Sequence, residues 1–219
     1  AAKMGTWSCN LQTEVLFWSD RAQEIFGFLP GTFPGTREAF LARLHPEDQE
    51  YVTQAIAHTF ETGAPYNIEY RICRLDGEVR WIEVWGMIPP ELSASDLQLI
   101  GVIADITDRK RAEAAVQQSE QDLRTIFNNV YDAIFIHDLD GTILDVNDRA
   151  LELHAASREE LLAATVADLS APNAPLENLP AMFGQVRAGE TLQFEWQDRR
   201  FSDNSTFDVE VSLRLVTLG

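Results

Sequence analysis

The side chains able to do chemistry are few and scattered. The chain carries four histidines, His45, His58, His137 and His154, and two cysteines, Cys9 and Cys73. Metal ligation needs such residues clustered at short spacing, and neither a Cys-x-x-Cys pair nor a histidine-rich cluster occurs. Nucleophilic catalysis needs a nucleophile held beside a base. No nucleophile elbow stands in the sequence, and no Gly-rich phosphate loop follows a strand-like run. The 35 acidic residues are spread along the chain without a pair placed for acid–base work, and they read as solvated surface. The tryptophans Trp7, Trp18, Trp81, Trp85 and Trp196 would suit a flavin or another aromatic ligand, but their strand periodicity makes them packing residues of a sheet. These observations point to a chain that is not itself an enzyme.

Composition narrows the partners. Seventeen basic against 35 acidic residues leave a net charge of −18 over 219 residues. Nucleic acid and an anionic membrane surface both require a basic face, so neither is an expected partner. The two cysteines form no disulfide framework, and a reducing, cytoplasmic compartment is expected. No apolar run approaches the ~20 residues of a membrane span. The opening Ala1-Ala2-Lys3-Met4 reads as an internal boundary of a longer polypeptide.

The elements follow from periodicity and punctuation. Strands are expected at Met4–Asn10 and Val15–Trp18, then a helix over Arg21–Phe26 capped by Asp20 and stopped by Gly27. Thr36 starts a second helix reaching Leu44. His45-Pro46-Glu47-Asp48 opens a long helix: proline loses no hydrogen bond in the first turn, and the two acids complement the positive helix end. Val52, Ala55, Ile56, Thr59 and Phe60 give that helix its inner face, and Gly63 ends it. Asp76-Gly77 turns a hairpin between Tyr66–Arg74 and Val79–Ile88, and a last strand covers Leu97–Ile106. The second half repeats the order: strands at Asp132–His137 and Thr142–Val146, a helix at Asp148–His154, a capping box at Ser157-Arg158-Glu159-Glu160, a helix near Pro180–Ala188, and strands from Thr191 and from Thr206. Asp20 matches Asp148 and Glu83 matches Glu210, an offset of about 127 residues that marks two copies of one small fold.

The residues from Leu99 to Glu113, a final strand running into Asp105-Ile106-Thr107 and then a charged helix, resemble the C-terminal border of PAS domains. His45-Pro46-Glu47-Asp48 and the hairpin from Asp76 to Arg80-Trp81-Ile82-Glu83 are further matches, and Phe194-Glu195-Trp196 with Val209–Leu213 carries the match of the second copy. The resemblance implies an α+β fold: two PAS-like domains, each a five-stranded antiparallel sheet with helices on one face. The expected division is residues 1–108, a helical linker at 109–130, and residues 131–219. The second copy stops before any equivalent of Leu97–Ile106, so it is expected to lack its last strand between Asp132–His137 and Thr206–Val216.

Function follows from the same resemblance. The chain is expected to be a sensory and dimerisation region that relays a ligand- or packing-dependent change to an output domain of the same polypeptide, such as a histidine kinase or a cyclic-dinucleotide enzyme. A small ligand would sit between the long helix and the inner sheet face, against Ile56, Ile68, Tyr70, Ile82, Val84 and Ile103. Haem-binding relatives carry a histidine near Val52, and His58 is not there. Flavin photosensors carry a reactive cysteine on a helix, whereas Cys9 and Cys73 lie in strands. No cofactor is therefore expected, beyond a possible small apolar ligand. The relay is expected to run through Asp105, Ile106 and Thr107 into a seam of Ala112, Val116, Ser119, Leu123 and Ile126, spaced as a heptad continued at Val130. The sheet strands are apolar on both faces, which leaves one face for a partner, so a homodimer through the linker helix and that face is expected. The alternatives are a ligand-free dimerisation scaffold and, from another class, an enzyme domain enclosing a redox cofactor.

Overall fold

The computed structural model describes residues 4–10, 12–89 and 98–217. They fall into two compact units, Ala1–Gln117 and Gln118–Gly219, divided within one long helix.

In the first unit, β1 (Met4–Asn10) and β2 (Leu16–Trp18) form a ribbon that leads into α1 (Asp20–Phe26). The cap of α1 is Ser19 rather than Asp20: its Oγ accepts from Ala22 N and also from Thr6 N, so one hydroxyl joins the helix to β1. Asp20 is the first helical residue and contributes charge, not a cap. Helix α2 spans only Arg37–Leu41, because the chain then turns so that Leu44 bridges to Ile72 and His45 N reaches Arg71 O. A short 3₁₀ turn, Pro46–Asp48, leads into α3 (Gln49–Thr62), which Gly63 ends in the left-handed region at φ 71°. Then come β3 (Tyr66–Cys73), β4 (Val79–Met87) and β5 (Gln98–Asp105); Leu97 lies outside the described residues. The antiparallel order is β2-β1-β5-β4-β3, so the last strand sits in the middle.

Alternation sends Tyr66, Tyr70, Ile72, Ile82, Val84, Leu99 and Ile103 into a core shared with Trp18, Ala22, Ile25, Phe26, Phe40 and Val52. The other sheet face carries exposed Phe17, Met87 and Ile100. Trp81 belongs to that outer face, with Arg71 and Lys110 against its ring, and so does not fill the core. Phe60 also stays 43% exposed.

Helix α4 (Thr107–Asn129) follows β5 directly and runs into the second unit. There β6 (Phe135–His137) is shorter than the Asp132–His137 run, because Asn147 claims the backbone ahead of it: its Oδ1 accepts from Ile134 N and its Nδ2 donates to Asp132 O. After β7 (Ile143–Val146) come α5 (Asp148–His154), α6 (Arg158–Leu162), α7 (Val166–Leu169) and α8 (Leu179–Arg187). The capping box at Ser157 and Glu160 forms, and Thr165 with Asp168 makes a second one on α7. Strands β8 (Leu192–Arg199) and β9 (Thr206–Leu213) pair as a two-stranded ribbon, with one isolated bridge from Asp198 of β8 to Ser170. The second unit thus holds two separate ribbons, β6-β7 and β8-β9, where the first holds one continuous sheet. Among the described residues no helix is long and apolar enough to cross a membrane.

The middle of the first sheet allows no extra atoms. Gly101 stands opposite Trp7 on β1 and Gly86 on β4, and a Cβ there would lie 1.9 Å from Trp85 O and 2.8 Å from the Trp7 indole. Gly101→Ala is expected to cost about 3 kcal/mol or more in chemical denaturation. Gly184→Ala, inside α8 with no atom within 4 Å of the new methyl, is expected to stabilise the second unit by roughly 0.5–1 kcal/mol.

Candidate functional site

Between the inner sheet face and the helices of the first unit lies a cavity of about 90 Å³. Its walls are aromatic and aliphatic: Trp7 and Leu16 from the first ribbon, Trp18, Phe26, Phe40, Ile56, Phe60, Tyr66, Tyr70, Val84, Leu99 and Ile103. Polar atoms enter from one side, through Cys9, Asn10 and the ion pair of Arg37 with Glu14 at 3.1 Å. Trp18 stacks on Phe33 and on Phe26, with ring centroids 3.6 and 4.1 Å away. The buried Gln23 holds that stack together: its Nε2 donates to Trp18 O, and its Oε1 accepts from Thr32 N and Phe33 N.

Of the six residues expected to line a ligand site, Ile56, Tyr70, Val84 and Ile103 reach the cavity. Ile82 is fully buried without touching it, and Ile68 packs half-buried on the core. Strand parity places all the strand residues on the inner face, but it does not say where along the sheet the space is left. The helices decide that. The cavity extends toward β1, β2, α1 and α2, so Trp7, Trp18, Phe26 and Phe40 line it although periodicity alone does not select them. Burial raises the Cys9 thiol pKa, and it raises the Tyr66 and Tyr70 phenols strongly, so all three stay protonated near neutrality. No group of histidine, cysteine and acidic residues among the described ones is placed to hold a metal ion.

The base of α3 is fixed by Asp48. Its carboxylate accepts from Arg71 N at 2.7 Å and Nε at 3.0 Å and from Arg71 Nη2, while Glu47 takes the same guanidinium at 2.8 Å. His45 caps the turn, its Nδ1 accepting from Glu47 N at 3.4 Å.

At the exit of the sheet, Asp105 accepts from Arg80 at 2.8 Å and from Thr107 N at 3.0 Å. Ile106 is buried, and its N–H donates to Trp81 O. Thr107 Oγ1 accepts from Trp81 N at 3.0 Å. On the next turn, Arg109 and Lys110 pair with Glu69 at 2.8 and 2.6 Å. The first turn of α4 is thereby bound to β3 and β4. Beyond it the helix face is bare: Val116, Leu123 and Ile126 are 60, 64 and 62% exposed, and Ala112 and Ser119 are exposed with them.

Two models of the PAS fold match the chain in tandem, over residues 15–103 and 121–219. The chain is 29% identical to sensor protein FixL of Bradyrhizobium diazoefficiens over 163 residues, which cover 74% of the chain and 32% of that protein. It is 32% identical to a blue-light-activated histidine kinase of Brucella ovis over 128 residues, 58% of the chain and 25% of that kinase. The chain thus spans about a third or less of these relatives' length. A solved sensory box histidine kinase/response regulator from Burkholderia thailandensis is 31% identical, covering 57% of the chain and 92% of that structure with a TM-score of 0.48.

These relatives overturn the expectation that the chain carries no cofactor. Activation by blue light needs a group that absorbs it, which the ordinary side chains do not supply, and the arguments from His58 and the cysteines do not outweigh that kinship. The cavity is nonetheless smaller than the ~300–1,000 Å³ typical of ligand and cofactor pockets.

Arg71 holds the Asp48 carboxyl below the usual carboxylate range. The folded value lies under the unfolded one, so the pair's stability is full above the unfolded value near 4 and is lost as pH falls through the folded value. In acid unfolding the gap between wild type and Asp48→Asn is expected to stay constant above about pH 4, and to close below it.

Proposed function

Because the chain belongs to the PAS-fold family, as two such domains in tandem, we propose that it is the sensory region of a signal-transduction protein of the histidine-kinase class. In this reading, occupancy or repacking of the cavity in the first unit sets the pose of α4, which carries the change toward an output domain of the same polypeptide. One observation carries the reading: the Asp105-Ile106-Thr107 segment is both the end of the central strand and the start of α4, and it is tied to Trp81 and Arg80 of the neighbouring strand. A change of sheet twist or spacing at β4 and β5 has no slack through which to dissipate before it reaches the helix.

Two copies of the chain would meet along the exposed seam of Val116, Leu123 and Ile126, with Ala112 and Ser119 allowing close approach. The apolar outer face at Phe17, Met87 and Ile100 supports the same pairing. A dimeric helix converts a tilt at its root into a change of register or spacing along its length.

Two measurements test this reading. Val84→Phe projects a ring into the cavity and stands in for an occupant. Hydrogen exchange at residues 108–111 is expected to change by about tenfold while the second unit keeps its protection. Unchanged exchange there, in a variant with wild-type circular dichroism, removes the relay. In sedimentation equilibrium, Val116→Glu with Leu123→Glu is expected to weaken self-association by ~100-fold, the equivalent of about 3 kcal/mol. A wild type that is monomeric at high concentration removes the dimer.

A further inference from the structure

His154, the last residue of α5, is fully buried in the second unit, with Phe135 of β6 and Phe207 of β9 against its ring. Its Nδ1 lies 3.0 Å from Arg199 O. A carbonyl only accepts, so Nδ1 carries the proton and, in the neutral ring, Nε2 is a bare lone pair. That lone pair has no hydrogen-bond donor and faces Asp198 Oδ2 of β8 at 3.6 Å. Two acceptors thus confront each other inside the unit, one proton short of a hydrogen bond.

The charged surroundings favour no quick escape. Arg200 lies near enough to disfavour an imidazolium, and its guanidinium is engaged over the Phe207 ring. Arg199 turns away, its Nε donating to Asp168 O and its Nη1 to Asn204. Among the described residues neither guanidinium hydrogen-bonds the Asp198 carboxylate.

We propose that His154 and Asp198 form a proton-operated latch that gives the second unit an input of its own, separate from the cavity of the first. One proton taken from water is shared between Nε2 and Oδ2. The pair goes from net charge −1 to 0, the N–H···O bond forms, and the end of α5 closes on β8. Loss of that proton returns the confrontation and loosens the contact.

Geometry and titration agree in direction at Asp198. Burial raises the Asp198 carboxyl to about 6 and lowers the His154 imidazole. Asp198 is an acid raised above its unfolded value near 4, so its ionisation costs stability above about pH 6, and that stability returns as pH falls toward 4. His154 works the other way, losing stability below its unfolded value near 6.5. Asp198→Asn separates the two: its amide donates to the neutral Nε2 without itself titrating, and the histidine is kept.

Native-state hydrogen exchange of the β8–β9 amides is to be compared in the full chain at matched pH. The Asn variant is expected to exchange about tenfold more slowly than wild type at pH 7.5, and at an equal rate at about pH 4.5. Carbon-13 NMR of wild type should show the Asp198 carboxyl and the His154 ring shifting together in one step near pH 6. A ratio flat across that range overturns the latch. So does an Asp198 carboxyl titrating near 4 with a His154 ring unmoved between pH 5 and 7.5, which the wild type reports even if the variant fails to fold.

Discussion

The first unit depends on one strand. β5 pairs with β1 from Met4 to Asn10 and with β4 from Ile82 to Met87, so every other element of the sheet is registered through it. From Ile100 to Ala104 it is paired on both sides, and in a buried sheet an uncommitted backbone group costs about 1–3 kcal/mol. The same pairing sets the side-chain requirement at its centre. Gly101 and Gly86 leave the room in which the Trp7 indole lies, and Trp7 Nε1 then donates to Val102 O. The indole in turn forms part of the cavity wall and meets Tyr66 edge-on. Strand register, core packing and cavity are therefore one constraint, and α4 is its continuation rather than an appendage.

The second unit shows what happens without a shared central strand. Among the described residues its ribbons do not join, and its main buried cluster is Ile143, Val146, Ala150, Leu161, Ala164 and Leu169 near β7 and the helices. The inward positions of β8 and β9, among them Phe194, Trp196, Val209 and Val211, stay only partly buried, whereas their counterparts Tyr70, Ile82 and Val84 in the first unit are almost wholly so. Polar residues take over part of the organising role. Asn147 uses all its hydrogen-bonding capacity, donating to Phe127 O and Asp132 O and accepting from Ile134 N and Ala150 N. His154 sits at the other end of the same helix with one nitrogen unsatisfied. A unit held by few, specific polar contacts is more open to a change in protonation than one held by a closed apolar core.

The sequence by itself determined what depends on neighbours along the chain. The repeat, the antiparallel order, the helix starts at His45-Pro46-Glu47-Asp48 and Ser157, the hairpin at Asp76-Gly77 and the strand-to-helix junction at Asp105-Ile106-Thr107 are local patterns, because caps, turns and alternation are set within a few residues. Alternation also separated the two faces of the sheet, which placed Tyr70, Val84 and Ile103 toward the helices, and helical periodicity placed Ile56 on the inner face of α3. What needed the tertiary structure was every question of lateral position. Which inner-face residues meet empty space depends on how α1, α2 and α3 lie over the sheet, so Ile68 and Ile82 went to packing, and Trp7, Trp18 and Phe40 lined the cavity instead. Ser19 rather than Asp20 became the cap because Thr6, on another element, also needed an acceptor. His154 and Asp198 stand 44 positions apart in the chain, and no local pattern links them. Only the fold brought a buried imidazole and a carboxylate to 3.6 Å.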